Sequence, residues 1–149
     1  HAVELLREYC PGCGLTCDLI TGFPGETEED HAATLEFIRR CAFSDMHIFP
    51  YSRRPGTPAD KMPDQCSRAV KEARAHEAKA AAVEMKQNFL RASVGQVLPV
   101  LFETGEGGYF TGHSDTYVLV KARGKALRGK TLDVRITGVD GGEMTGEII

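Results

Sequence analysis

The spacing of apolar residues changes near residue 93, and this change divides the chain into two parts of different structural class. Upstream, apolar residues recur with the period of helices, interrupted by short strand-like runs. After Gly95, apolar and polar residues alternate in short runs that Gly-rich turns separate. The sequence therefore predicts an α/β part followed by a small all-β part, with a domain boundary near residue 93.

The first part alternates helix and strand signals. The predicted elements are a short amphipathic helix over 2–10, a strand over 15–21, a helix over 27–41 and a strand over 46–51. Thr27 is a favourable N-cap, and Asp30 stands where a capping-box acid would. We expect Ile48 and Phe49 to face opposite sides of a sheet. The buried face of the second helix is expected to contain Leu35, Phe37, Ile38 and Cys41. This alternation predicts a parallel sheet with crossover helices.

Two segments follow. From residue 52, Pro and Gly predict an irregular stretch, either an ordered functional loop or a linker. Residues 67–92 contain neither Gly nor Pro and are rich in strong helix formers, so they predict one long linking helix. Its apolar stripe is expected at Ala69, Ala73, Ala80, Val83 and Leu90.

The all-β part contains five strand signals. They cover 97–103, 109–112, 116–121, 131–137 and 143–149. Five short antiparallel strands predict a closed or partly closed barrel of the OB type. The expected domains are therefore 1–66, a linking helix over 67–92, and 93–149.

Composition narrows the class of protein. The chain has 149 residues and a formal net charge of −3, which argues against nucleic-acid binding by bulk charge alone. No apolar run approaches the roughly 20 residues of a membrane helix, and no export leader opens the chain. We therefore expect a cytoplasmic location and no membrane contact.

Five cysteines, without a secretion signal, indicate reduced thiols. Cys10, Cys13 and Cys17 have a spacing that could ligate iron or zinc, and the first two resemble a redox pair. Such pairs tend to open a helix, whereas this one closes a predicted helix. Small buried or half-buried thiols are the favoured interpretation, and no metal ligand is assigned.

Positive charge is segregated locally in the all-β part. Residues 121–130 contain five cationic side chains and no acidic one: Lys121, Arg123, Lys125, Arg128 and Lys130. This pattern is typical of contact with a phosphate backbone, with Tyr109, Phe110, His113 and Tyr117 nearby as base-stacking surfaces. The alternative is a solvated strand edge.

A Gly-rich turn lies between the first strand and the second helix. In residues 22–27, glycines allow backbone amides to approach a ligand closely. No Lys-Ser/Thr pair follows, and three acids after Thr27 would repel a phosphate, so this is not a Walker loop. Asp18, Glu26 and His47 are candidate acids, bases or ligand contacts, with simple hydrogen bonding as the alternative.

Two motifs carry a family resemblance. Residues 18–27, DLITGFPGET, and residues 49–59, FPYSRRPGTPA, closely resemble radical S-adenosylmethionine tRNA methylthiotransferases. The segment from about Val94 onwards looks like their RNA-binding TRAM domain. The resemblance implies the C-terminal part of a radical-enzyme (β/α) partial barrel followed by this small barrel.

In this family, a methylthio group is attached to an adenosine beside the anticodon, with S-adenosylmethionine and two four-iron four-sulfur clusters. The implied partner is tRNA, bound through the TRAM domain. The residues that match the cofactor site are Asp18, Gly22, Phe23, Pro24, Gly25, Glu26, Phe49, Pro50 and Tyr51. Residues 52–58, SRRPGTP, resemble most the branch acting on threonylcarbamoyl-adenosine, and the isopentenyl-adenosine and ribosomal-protein branches are the competitors.

The family's cluster motif has the reverse cysteine spacing and lies further upstream. This chain is therefore expected to be the last third of such an enzyme, inactive without its N-terminal part, and to carry no cofactor alone. An open sheet edge predicts self-association or strand exchange. The alternative from another class is a stand-alone RNA-binding module.

Overall fold

The structure, a computed structural model, describes all residues from 1 to 149. Its helices are α1 (Ala2–Tyr9), α2 (Glu28–Cys41) and α3 (Arg68–Ala92), with a short 3-10 helix at Pro58–Lys61. Its strands are β1 (Thr16–Thr21), β2 (Asp45–Pro50), β3 (Val97–Glu106), β4 (Tyr109–Ser114), β5 (Leu119–Arg123), β6 (Thr131–Asp140) and β7 (Glu143–Ile148). The chain forms two compact units, one of Leu15–Lys86 and one of His1–Gly14 with Gln87–Ile149.

The α/β unit is built on two strands. β1 and β2 pair in parallel, with Asp18 opposite His47 and Ile20 opposite Phe49. Ile48 is buried while Phe49 is exposed, so the predicted opposite orientation is confirmed. One sheet face therefore packs inside the unit and the other remains open.

Helix α2 begins with the predicted capping box. The Thr27 hydroxyl accepts from the Asp30 amide at 3.1 Å, and the Asp30 carboxylate accepts from the Thr27 amide at 3.0 Å. The Thr27 amide and then the Thr27 hydroxyl, which both donate to the Asp30 carboxylate, lower the pKa of Asp30 below its ordinary value. Ile38 and Cys41 are buried as expected, but the expectation for Phe37 is wrong because its side chain is 52% exposed.

The segment after β2 is mostly irregular, as predicted, apart from the 3-10 helix. That helix begins with Pro58 in its first turn, and the Thr57 hydroxyl caps it by accepting from the Asp60 amide. A proline suits this position because its fixed φ matches a helical start and it needs no hydrogen-bond acceptor.

Helix α3 has the predicted extent but a different buried face. Its buried apolar residues are Ala75, Ala78, Ala81, Met85 and Leu90. Of the predicted stripe only Leu90 is buried, and Val83 is 63% exposed. Alanines occur all around this helix, so spacing alone does not distinguish the packed face. No helix in the structure has the length and apolarity required to span a lipid bilayer.

The five C-terminal strands form a closed barrel in the order β3-β4-β5-β7-β6. All neighbours pair antiparallel except β5 and β7, which are parallel, so the all-antiparallel expectation is wrong at this pair. The core includes Phe102, Val120, Ile136 and Met144, with Leu90 of α3 packed into the same cluster.

The third predicted barrel strand begins later than expected. Tyr117 has a φ of 64° and its amide donates to the Ser114 carbonyl at 3.0 Å, which forms a turn. The Ser114 hydroxyl also accepts from the Val118 amide at 3.2 Å. This hydrogen-bonded turn uses the residues at which alternation predicted a strand.

Gly112 provides a test of how tightly the barrel is closed. A Cβ added there would overlap the Leu101 carbonyl oxygen and the Phe102 backbone on the neighbouring strand. Gly112→Ala should lower the free energy of unfolding of the barrel by about 2–3 kcal/mol, because rigid backbone has to move. Urea denaturation followed by circular dichroism measures this.

The matched control is Gly12→Ala, where an added Cβ meets nothing within 4 Å. It should unfold at the same urea concentration as the wild type. Identical midpoints for Gly112→Ala and the wild type would contradict the close approach of β3 and β4.

Candidate cofactor pocket and nucleic-acid surface

A recess lies at the carboxyl ends of β1 and β2. Its volume is about 550 Å³, and it is lined by Ile20, Phe49, Pro50, Tyr51, Ser52, Arg54, Thr57 and Ala59. The strand ends contribute apolar side chains, whereas the following loop contributes hydroxyls and one guanidinium. The carboxyl edge of parallel strands is the usual ligand position in α/β folds. This arrangement suits a flat, partly apolar ligand.

The loop between β1 and α2 is held by the Glu26 carboxylate. One of its oxygens accepts from the Gly22 amide at 2.6 Å and from the Phe23 amide at 3.1 Å. Gly22 has a φ of 68°, and a Cβ there would meet the Lys71 side chain. The loop therefore requires glycine at position 22. Its backbone amides are bound by a carboxylate from the same loop, that of Glu26.

Arg74 of α3 holds Glu26 from the other side. Its guanidinium donates to the Glu26 carbonyl at 2.8 Å and lies 3.2 Å from the second Glu26 carboxylate oxygen. It also donates to Glu28 at 2.6 Å, and this hydrogen bond lowers the pKa of Glu28. The Arg74 side chain is only 6% exposed. Its buried charge is thus compensated by two carboxylates.

His31 completes this cluster. Its Nδ1 lies 3.7 Å from the Glu26 carboxylate, and its Nε2 lies 3.0 Å from that of Glu77. The ring is buried, and Nδ1 has no hydrogen-bond partner. Sequence reasoning missed both Arg74 and His31 because they lie on helices outside the recognised motif.

Aromatic contacts connect this loop to the recess. The rings of Phe23 and Tyr51 meet edge to face with centroids 5.1 Å apart, and the Tyr51 amide donates to the Thr21 carbonyl at 2.8 Å. Lys71 Nζ lies 4.9 Å from the Tyr51 ring centroid. Through Tyr51, one wall of the recess therefore contacts both the loop and helix α3.

The structure brings only some of the predicted cofactor residues to the recess. Phe49, Pro50 and Tyr51 line it. The residues that lie outside the lining are Asp18, Gly22, Phe23, Pro24, Gly25 and Glu26. Asp18 is exposed on β1. Ile20, Arg54 and Ala59 line the recess but were not assigned as site residues. The alternation of exposed and partly buried residues along β1 was the signal that could have placed Ile20 on the open sheet face.

The cysteines are not gathered into a metal site. All five are free thiols, and Cys13 and Cys17 are partly buried as expected. The expectation is wrong for Cys10, which is exposed just after the end of α1. Burial, followed by the charge of Asp18, raises the pKa of Cys17. No group of three or more His, Cys, Asp or Glu side chains is positioned to hold a metal ion.

The predicted basic run lies on the barrel surface. All five cationic residues are exposed, with Lys121 and Arg123 on β5 and the others in the loop before β6. None of the five forms an ion pair. Lys121 Nζ lies 5.2 Å and the Arg123 guanidinium 5.6 Å from the Tyr109 ring centroid. The structure thus places two cations beside one exposed aromatic ring.

The chain is similar over most of its length to long bacterial tRNA-modifying proteins. It is 38% identical over 137 residues to threonylcarbamoyladenosine tRNA methylthiotransferase MtaB of Bacillus subtilis, covering 88% of this chain and 30% of that protein. It is 39% identical to tRNA-2-methylthio-N(6)-dimethylallyladenosine synthase of Mycobacteroides abscessus, over 99% of this chain and 28% of that protein.

The protein of that second name from Sphingopyxis alaskensis is 41% identical over 91% of this chain and 31% of its own length. The chain thus spans less than a third of the length of these curated relatives. No family model matches it. These similarities to tRNA-modifying relatives confirm the resemblance of the two motifs to the tRNA methylthiotransferases.

Arg74 gives a direct test of the loop network. Arg74→Met should raise the hydrogen-exchange rates of the Gly22 and Phe23 amides by about tenfold or more, because Glu26 loses its buried cation. Exchange measured by NMR reports these two amides individually.

Arg68→Met is the matched control on the same helix, since the Arg68 ion pair with Glu72 is exposed. It should leave both exchange rates unchanged. Equal rates in wild type and Arg74→Met would mean that the loop is ordered without Arg74.

Proposed function

We propose that this chain is part of a tRNA methylthiotransferase, in which its α/β unit supplies a wall of the S-adenosylmethionine site and its barrel binds tRNA. The observation that carries the proposal is the recess at the carboxyl ends of the parallel strands β1 and β2. The names of the relatives support the reaction class. On this proposal, the α/β unit belongs to a radical-enzyme partial barrel.

The lining of the recess fits the adenosine part of S-adenosylmethionine. Ile20 and Phe49 are both more than half exposed on the open sheet face, and they offer apolar surface for a flat base. Ser52 and Thr57 offer hydroxyls for polar edges. When bound, S-adenosylmethionine supplies the radical and methyl chemistry of this family. Glu26 and Arg74 act as positioning residues for the adjoining loop.

The barrel supports the RNA-binding half of the proposal. Its strand order, with one parallel pair between the third and fifth strands, is compatible with an OB-type TRAM barrel. We assign residues 93–149 to this domain, residues 1–66 to the radical-enzyme part and 67–92 to the linking helix. For the substrate branch we favour threonylcarbamoyl-adenosine, on the basis of residues 52–58, although relatives named for dimethylallyladenosine are also similar to the chain.

Phe49 tests the cofactor site. The chain is expected to retain no cofactor on purification, but S-adenosylhomocysteine added in large excess should bind weakly to this one wall of the site and shift the NMR signals of Ile20 and Tyr51. Phe49→Ala should weaken this binding by about tenfold, because the adenine loses an apolar contact. Phe37→Ala is the control, since Phe37 is equally exposed but lies on α2.

Binding that is equal in the two Phe variants would contradict the assignment of the recess. A chain that binds RNA but no S-adenosylhomocysteine would favour the alternative, a stand-alone RNA-binding module.

The basic run tests the tRNA surface. Binding of whole tRNA and of an unmodified anticodon stem-loop should weaken steeply with salt, by about −0.9 in log–log slope per neutralised phosphate of a duplex. Arg123→Glu with Arg128→Glu should reduce the magnitude of this slope by about 2 and leave the barrel folded.

The control is Arg39→Glu with Arg40→Glu, which changes the net charge equally at two exposed positions of α2. It should retain wild-type tRNA binding. A flat salt response would show that the basic run is only a solvated edge.

A further inference from the structure

Two rows of outward-facing side chains cross three strands of the barrel. Tyr109 pairs with Glu106 on β3 and with Arg123 on β5. Thr111 pairs in the next row with Thr104 and Lys121. Residues two apart on a strand face the same side, so all six side chains belong to one surface.

A recess of about 430 Å³ lies on this surface. It is lined by Thr104, Gly105, Glu106, Tyr109, Thr111 and Lys121. Tyr109 is 43% exposed. Gly107 and Gly108, with φ of 60° and 80°, make the tight turn that brings Glu106 directly opposite Tyr109. The recess therefore combines an aromatic ring, hydroxyls and a carboxylate.

The charged side chains around the recess form no ion pairs with other protein groups. Lys121 and Arg123 lie 5.2 and 5.6 Å from the Tyr109 ring centroid, and neither forms an ion pair. Glu106 forms no ion pair or side-chain hydrogen bond either. The two cations contact only the Tyr109 ring and Glu106 has no cationic partner, so the cations can bind phosphates and the carboxylate can accept from an amino group of the same ligand.

We propose that this recess binds one unpaired nucleotide of RNA, with its base stacked on Tyr109, its phosphates held by Lys121 and Arg123, and its amino group donating to Glu106. Unpaired bases expose a face for stacking and an edge for hydrogen bonding, whereas paired bases do not. A carboxylate accepts from the cytosine N4 amino group but is repelled by the uracil O4 at the equivalent position. The recess thus selects cytosine over uracil, a base preference that charge alone does not give.

This inference rests on the proposed RNA-binding role of the barrel. It adds that the barrel prefers single-stranded RNA and, at one position, cytosine. The chain contains no Trp, so Tyr109→Trp introduces a single fluorescent reporter at the stacking position. Its emission should be quenched by hexacytidylate and remain unchanged on binding a 12-base-pair RNA duplex.

Affinity measurements with the wild-type chain complete the test. Hexacytidylate should bind about fivefold or more tightly than hexauridylate. Tyr109→Leu should weaken binding of hexacytidylate by about tenfold without changing duplex binding, and Tyr109→Phe should retain it. Glu106→Gln should reduce the cytosine preference mainly by improving hexauridylate binding, because the Gln amide can donate to the uracil O4, which the carboxylate repels.

Tyr9→Leu is the matched control, because Tyr9 is an exposed tyrosine at the end of α1, outside the barrel strands. It should leave affinity and base preference unchanged. Salt-dependent RNA binding that is indifferent to strandedness, Tyr109 and Glu106 would overturn this inference and leave the proposed tRNA surface intact. Absence of salt-dependent binding to any of these RNAs would overturn both.

Discussion

The α/β unit depends on the carboxylate of Glu26. This group accepts from two amides of the Gly-rich loop while Arg74 donates to it from α3. A carboxylate and a guanidinium removed from water are tolerated only when each has partners of opposite character. The loop supplies the N–H donors and α3 supplies the cation. Because both bind the same carboxylate, the position of the loop and that of Arg74 depend on each other. Tyr51, which contacts Phe23 of this loop, then has a defined place in the wall of the recess.

The barrel depends on a different constraint, the close approach of backbones at glycines. A Cβ at Gly112 would overlap Leu101, and one at Gly146 would meet Arg135 and Val134. Apolar side chains, among them Phe102 and Met144, fill the interior. The outward side chains of β3, β4 and β5 are therefore not needed to fill the core. This separation permits two cations, an acid and an aromatic ring to share one exposed surface.

Local patterns in the sequence predicted the elements well, because their causes are local. The capping box of α2 needs only Thr27 and Asp30, three residues apart, and the alternation around Ile48 is a property of one strand. The buried face of α3 was predicted wrongly because its alanines give no preferred side. The start of β5 was predicted wrongly because Ser114 forms a turn with Val118, which competes with strand pairing.

The sequence by itself determined the order of helices and strands, the change to an all-β segment, the basic run and the resemblance to tRNA methylthiotransferases. These features depend on residues close in the chain, or on motifs read directly as letters. Tertiary structure alone decided that Arg74 meets Glu26, 48 residues away, and that Ile20 shares a recess with Arg54. It also decided the parallel pairing of β5 with β7 and the row of Glu106, Tyr109 and Arg123. Such contacts follow from strand register and helix packing, which no local periodicity specifies.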